Sequence, residues 1–370
     1  MPEPPTPKRS ASLLRLRLRR FRRLKRGYYS FFILVGAYLL SFLLAFLMNH
    51  RALVVRYEGN FYFPAFRTYL YDTFGLSREY IYLARTFDQK TPEGERLTGE
   101  AKYRDLKQAF SEQKDGNFVI LPPVPYGPNE QFLAAEGTPP YPPSRAHPLG
   151  TDDRGRDLLV RLAYGYRISI SFALVVVSFS YVMGTLSGAL LGFFSRWVDM
   201  LGLRLVEIWS AIPFLYTVII LSSIFQPSFV LLASILAIFG WMSIAYYVRA
   251  EFYREKNKDY VHAALAVGEN NLWIMIRHIL PNSLTPIITF APFAIVAAIE
   301  SLVALDFLGF GLQPPTPSWG ELLKQAKQDL TEWHLVLFPL GAIFITLHLI
   351  VFIGEAVREA FDPKVFSRLR

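Results

Sequence analysis

Residues 208–248 contain no Asp, Glu, Lys or Arg. A helix rises about 1.5 Å per residue, so this stretch laid out straight reaches about 60 Å, roughly twice the hydrocarbon thickness of a bilayer. The chain must therefore reverse partway. Gln226-Pro227-Ser228 is the place, because proline lacks an N–H and pushes the residue before it out of helical geometry. Two spans result, predicted at 205–225 and 228–248. The same test picks out 28–48 and 168–194, which carry no charge, then 284–305, where Glu300 is the only charged residue, and 334–354, for six predicted spans. With 52% hydrophobic residues and a mean hydropathy of +0.26, composition agrees that this is an all-α polytopic membrane protein.

Positive charge orients the spans. Lys8, Arg9, Arg15, Arg17, Arg19, Arg20, Arg22, Arg23, Lys25 and Arg26 precede the first span against a single acid, Glu3, which predicts a cytoplasmic N-terminus. Four spans later, the loop 251–282 falls on the same side, and Arg254, Lys256, Lys258 and Arg277 within it agree. So do Arg196 and Arg204 in the second turn, and Arg358, Lys364, Arg368 and Arg370 in a cytoplasmic C-terminal tail. The net charge of +9 does not imply nucleic acid, since the basic run abuts a span and Leu14, Leu18 and Phe21 can lay a helix against anionic lipid. A cleaved signal peptide is not expected, because the apolar stretch exceeds an h-region and no small-residue cleavage site follows. The chain has no cysteine, hence no disulfide and no thiolate chemistry.

The predicted organisation is a basic segment 1–27, a first span 28–48, an external insert 49–148, a core 149–363 with five spans, and a tail 364–370. About 115 residues separate the first two spans, too many for a connector. Alternation over 54–62 predicts short strands. The stretch 100–111 reads as a helix with Tyr103, Leu106 and Phe110 on one side. Phe61, Tyr62, Phe63, Phe66, Tyr69, Tyr71 and Phe74 suggest a small core with surface anchors, and nine prolines between 122 and 148 an extended lead back to the membrane. In 147–162, Leu158, Leu159 and Leu162 predict an interfacial helix before the second span, with Asp157 and Arg161 paired four residues apart. Asp152, Asp153 and Asp157 suggest a cation cluster, but Arg154 and Arg156 between them oppose one.

Within 251–282, Ala264 and Gly268 lie four apart on a helix predicted from about Tyr260, exposing backbone to close approach. Gly268 marks its end, since glycine is the least costly residue in a left-handed C-terminal position. Leu272, Met275, Ile276 and Ile279 then predict a second short helix, stopped by Pro281. The pattern describes a docking surface.

This loop resembles the EAA loop of the membrane subunits of ABC importers, whose consensus is Glu-Ala-Ala, three residues, Gly, nine residues, Ile, one residue, Leu-Pro. Ala263, Ala264, Gly268, Leu280 and Pro281 stand in register, while His262 replaces the Glu and His278 the Ile. The run His147-Pro148-Leu149-Gly150-Thr151-Asp152, with Gly155-Arg156-Asp157 after it, resembles the signature of C-type permeases of dipeptide and oligopeptide importers. Asp306-Phe307-Leu308-Gly309-Phe310-Gly311 is similar to their Phe-Leu-Gly-x-Gly motif, and 354–363 to their C-terminal tail. The insert, with Val55-Arg56-Tyr57-Glu58-Gly59-Asn60 in it, looks like that of the Yej-type branch.

The resemblance implies the type I ABC importer permease fold and a bacterial inner-membrane location. It implies a peptide importer, including peptide antibiotics of the microcin C type, in which this chain is not the enzyme. Its expected partners are a second homologous permease, ATPase subunits or a fused tandem ATPase, and an extracytoplasmic peptide-binding protein. ATP and magnesium belong to the ATPase, and this chain is expected to bind no cofactor or metal. His262, Ala263, Ala264, Gly268, Leu280 and Pro281 become the expected ATPase contact. Asp152, Asp157, Glu300 and Phe307 become candidates for binding-protein or pathway contacts. The sequence itself contains no Gly-Lys dipeptide, hence no Walker A loop, and no His-Glu-x-x-His or Gly-x-Ser-x-Gly. Glu300, an ionisable residue within a span, supports the competing reading of an ion-coupled secondary transporter.

Overall fold

The computed structural model describes residues 13–67, 69, 82–90, 94–113, 115–133 and 137–361. Lys8, Arg9, Tyr71, Phe74 and the tail from Asp362 lie outside them. Helix α1 (Leu13–Arg23) meets α2 (Lys25–Ser41) at Leu24, and a turn at Phe42-Leu43 leads into α3 (Leu44–Leu47). The expected first span is thus two helices and a turn.

The insert is a small α+β unit. Strands β1 (Val54–Tyr57), β2 (Asn60–Tyr62) and β3 (Phe118–Ile120) form an antiparallel sheet ordered β2-β1-β3, with helix α4 (Tyr103–Gln113) behind it. Alternation decides which face is buried. Val55 sits opposite Tyr62 and Val119 and turns inward onto Phe87, Tyr103, Leu106 and Phe110, the three α4 positions that the helical spacing predicted. Arg56 turns outward beside Phe61 and Phe118. Arg51 with Glu100, and Arg104 with Glu130, tie the unit to the segments on either side.

The core is helical: α5 (Leu158–Phe194), α6 (Arg196–Ser210), α7 (Phe214–Ile224), α8 (Phe229–Lys256), α9 (Asp259–Ala266), α10 (Asn271–Trp273), a π segment (Ile274–Ile279), α11 (Leu280–Leu308), α12 (Trp319–Ala326) and α13 (Trp333–Phe361). Among the described residues four stretches are long and apolar enough to cross a membrane: Leu158–Phe194, Phe229–Lys256, Asn271–Leu308 and Trp333–Phe361. Helices α6 and α7, bent by 65° at residues 211–213, make a fifth if they count as one span. Length and composition therefore give four or five where six were expected. The predicted reversal holds, with α7 ending at Ile224 and Ser228 Oγ capping α8 through the Leu231 N–H at 3.2 Å.

Two expectations are corrected here. Residues 158–162 do not form a separate interfacial helix, because α5 runs unbroken for 37 residues from its cap at Asp157. Pro281 does not end a helix either. Its ring would strike the carbonyl four residues back and it donates no hydrogen bond, but the wider π turns of 274–279 absorb both defects, so helix continues into α11.

Helices α5 and α8 are held at very close range. A Cβ added to Gly184, Gly188 or Gly192 would lie 2.1 to 2.6 Å from Ile244, Ala245 or Arg249 of α8. Three glycines at four-residue spacing thus let two backbones touch, the way membrane helices associate where lipid supplies no hydrophobic drive.

Candidate functional site

Two constellations stand at opposite ends of the core. The first is the 251–282 loop. Its inner side is a cluster in which Val261 of α9 packs with Ile274, Met275 and Ile279 against Val248, Phe252 and Phe193. Of the four residues grouped by helical spacing, Met275 and Ile279 are buried while Leu272 and Ile276 are exposed. Gly268 has φ of 86° and ends α9, as expected. The Asn270 side chain then caps the next helix through the Leu272 N–H at 2.9 Å. His278 Nε2 lies 2.9 Å from Glu269 Oε2 and closes the turn across its base. Glu255, buried at the root of the loop, accepts from Lys258 Nζ at 2.7 Å and Tyr260 Oη at 2.8 Å, and Asn282 Nδ2 donates to that same Tyr260 oxygen at 3.3 Å.

With the inner side committed, the outer side is exposed and largely apolar, with Arg277 stacked 4.9 Å over the Trp273 ring. His262, Ala263, Leu265, Ala266, Val267, Gly268, Leu272, Trp273 and Pro281 are all exposed, Val267 at 83%, whereas Ala264 and Leu280 are half-buried. A Cβ at Gly268 would meet nothing within 4 Å among the described residues, so that glycine serves the backbone turn rather than a close contact within the chain.

At the insert side, the 147–162 signature becomes a buried charge cluster. Asp152 Oδ2 accepts from Arg156 Nε at 2.7 Å and lies 3.3 Å from Arg161 Nε. Glu321 of α12 completes it, accepting from Arg156 Nη2 at 3.2 Å and from Arg161 Nη2. Arg161 thus reaches 160 residues away, and the predicted Asp157–Arg161 pair is not formed. Asp157 instead caps α5 through the Val160 N–H at 2.9 Å and meets His147 Nδ1 at 2.8 Å. Asp152 and Asp157 are fully buried, so both are internal staples here, not surfaces that a partner touches.

The glycine motif after α11 is built around another buried acid. Gly309 ends α11 in left-handed geometry, with φ of 89°. The chain then folds back so that Asp306 Oδ1 accepts from the Leu312 N–H at 2.6 Å while Oδ2 accepts from Ser318 Oγ. A Cβ at Gly311 would lie 1.8 Å from Asp306 Oδ1, which leaves glycine as the residue that fits. Phe307 is half-buried under Lys327 Nζ, 5.6 Å from its ring. Glu300 is exposed on α11 beside Ala297 and Ser301, both of which line a cavity of about 400 Å³ between α5, α7, α8 and α11. Tyr181, Phe214, Tyr247 and Phe293 form its aromatic walls, and Glu300 is not among them.

Residues 184–367 match the model of the family described as binding-protein-dependent transport system inner membrane component. The chain is 41% identical over 346 residues to the inner membrane ABC transporter permease protein YejE of Escherichia coli, covering 93% of this chain and 95% of that one. It belongs to that permease family. A peptidoglycan transport system permease protein YejE of Agrobacterium fabrum is 35% identical over 94% of this chain and 92% of its own length. The oligopeptide transport permease OppC of Haemophilus influenzae is 37% identical over 59% of this chain and 70% of its own.

Two parts of this permease escaped the sequence reading. Glu321 lacks a motif, and only the imbalance of two arginines against one buried aspartate hints that a second acid is needed. Gly184, Gly188 and Gly192 were legible at four-residue spacing, but they lie in a run apolar enough to read as an ordinary span.

Proposed function

We propose that this inner-membrane ABC permease is the membrane-spanning subunit of an ATP-driven peptide importer of the type I fold, with six spans and both termini in the cytoplasm. It pairs with a second homologous permease, sits on ATPase subunits that bind ATP and magnesium, and receives peptides, including peptide antibiotics of the microcin C type, from an extracytoplasmic binding protein. The observation that carries this reading is the loop at 259–281: an exposed, largely apolar outer surface on a base tied by His278, Glu255 and the Val261 cluster. A surface that must pass on a movement needs to be rigid behind and accessible in front.

ATP closes the ATPase pair, the cleft holding Ala263, Gly268 and Trp273 moves, and the loop carries the spans with it. Turning a mostly inward-facing population into a mostly outward-facing one takes about 5 kcal/mol of differential binding, which nucleotide in the partner supplies. The test is Gly268→Arg in the complete transporter in vesicles. Among the described residues nothing beyond its chain neighbours lies within 4 Å of the new Cβ, so insertion is retained at the cost of about 1–2 kcal/mol for a left-handed arginine. Peptide-stimulated ATP hydrolysis and uptake should both disappear. Normal coupling in this variant would remove the docking assignment.

A further inference from the structure

The loop reaches α6 by a route outside its own motif. Ser195 joins α5 to α6 with φ of 51° and ψ of −169°, and Arg196 follows with φ of 51°. The first conformation belongs almost wholly to glycine and the second is left-handed, so the turn persists only where neighbours over-determine it. The neighbours come from α8. Lys256 Nζ donates to the Phe193 carbonyl, lies 3.4 Å from Ser195 Oγ and stands 5.4 Å over the Phe193 ring. Arg249 Nε and Nη2 each reach a carboxylate oxygen of Asp199, in the first turn of α6, at 2.5 Å. Lys256 is the last residue of α8, and Asp259 opens α9.

Helices α5 and α8 touch backbone to backbone at Gly184, Gly188 and Gly192, and Lys256 lies in the turn of α8 beyond those contacts. Helix α6 is different: Trp197, Leu201, Leu205 and Ile208 are exposed along it. We propose that Lys256 and the Arg249–Asp199 pair are positioning residues that make the bent α6–α7 unit follow the docking loop. A displacement of α9 pulls the end of α8, Lys256 carries it into the strained turn, and α6 swings. Because Phe214 at the start of α7 is a wall of the 400 Å³ cavity and packs on Phe239 at 5.5 Å, that swing changes the cavity.

The proposal rests on the loop being the ATPase contact, and the experiment separates the two. The chain has no cysteine, so it can be spin-labelled at introduced positions before it is assembled with its partners. Labels at Asp259→Cys at the start of α9 and Arg204→Cys on α6 are followed in the complete transporter, each against a fixed label on α5, with and without ATP. In the parent both distances change. In Lys256→Met and in Asp199→Asn the α9 distance should still change, the α6 change should vanish, and peptide moved per ATP should fall about tenfold, within the range of couplings between linked sites. The swap Asp199→Arg with Arg249→Asp should restore both. An α6 distance that responds fully in both single variants, or uptake per ATP unchanged, overturns the proposal. An α9 distance that ignores ATP in the parent overturns the loop reading instead.

Discussion

Replacing Glu321 by alanine tests the buried charge cluster most directly. Asp152 and Glu321 face Arg156 and Arg161, so the cluster carries two charges of each sign, and no side chain in it is more than 9% exposed. Glu321→Ala leaves two guanidinium groups against one carboxylate and empties the acceptors that Arg156 Nη2 and Arg161 Nη2 use. Breaking a buried pair in this way costs about 3–5 kcal/mol, because two positive charges are left sharing one carboxylate in a site closed to water. A matched control is Glu207→Ala. Its pair with Arg204 is 2.6 Å long but 72% and 51% exposed, and its loss should cost under about 0.5 kcal/mol. The measurement is hydrogen exchange at the amides closed by the junction, Asp152 N to Arg156 O and Leu158 N to Gly150 O. If these open through loss of the cluster, their exchange should quicken by about a hundredfold to a few thousandfold in Glu321→Ala. Exchange no faster than in Glu207→Ala would refute the cluster as the fastener between α12 and the start of α5.

Gly188→Leu should prevent α5 and α8 from meeting, since its Cβ would stand 2.5 Å from the Ala245 carbonyl, whereas Gly341→Leu, with open space around it, should be harmless. The overpacking costs at least about 1–3 kcal/mol and is read as loss of the monodisperse peak on gel filtration. In the insert, burial raises the Glu100 carboxyl, but hydrogen bonds from His50 and Arg51 and their charges outweigh it and bring the pKa to about 2 from an ordinary 4.5. A depressed acid stabilises above its unfolded pKa, so the contribution, up to about 3 kcal/mol, is present at neutral pH and lost as pH falls from 4.5 toward 2. Exchange in 54–62 and 103–113 should accelerate over that window, and Glu100→Gln should abolish the step.

What the sequence disclosed follows from the range of the forces involved. The reversal at 226–228, the left-handed Gly268 and the inward Tyr103, Leu106 and Phe110 depend on neighbours a few residues away, and each was legible from spacing and residue type. Arg161 chose Glu321 over Asp157 because Asp157 was already engaged at the N-terminus of α5, a competition that pair spacing does not describe. Pro281 misled for a related reason: its rule concerns regular α geometry, and a π segment satisfies it without ending the helix. In the candidate site the left-handed turn at Gly268 was readable, but not which of Leu272, Met275, Ile276 and Ile279 turn inward.

The π segment has a mechanical consequence. Because it carries the helix past Pro281, Asn271 to Leu308 is one rod of 38 residues, about 57 Å long, with no loop anywhere along it. Trp273 stands exposed at one tip, and at the other Asp306 is pinned to Leu312 and Ser318. The rod is a lever whose two ends are a handle and a latch. Pro286 and Pro292 lie inside it, so a push on the handle reaches the latch through two points at which the rod can bend.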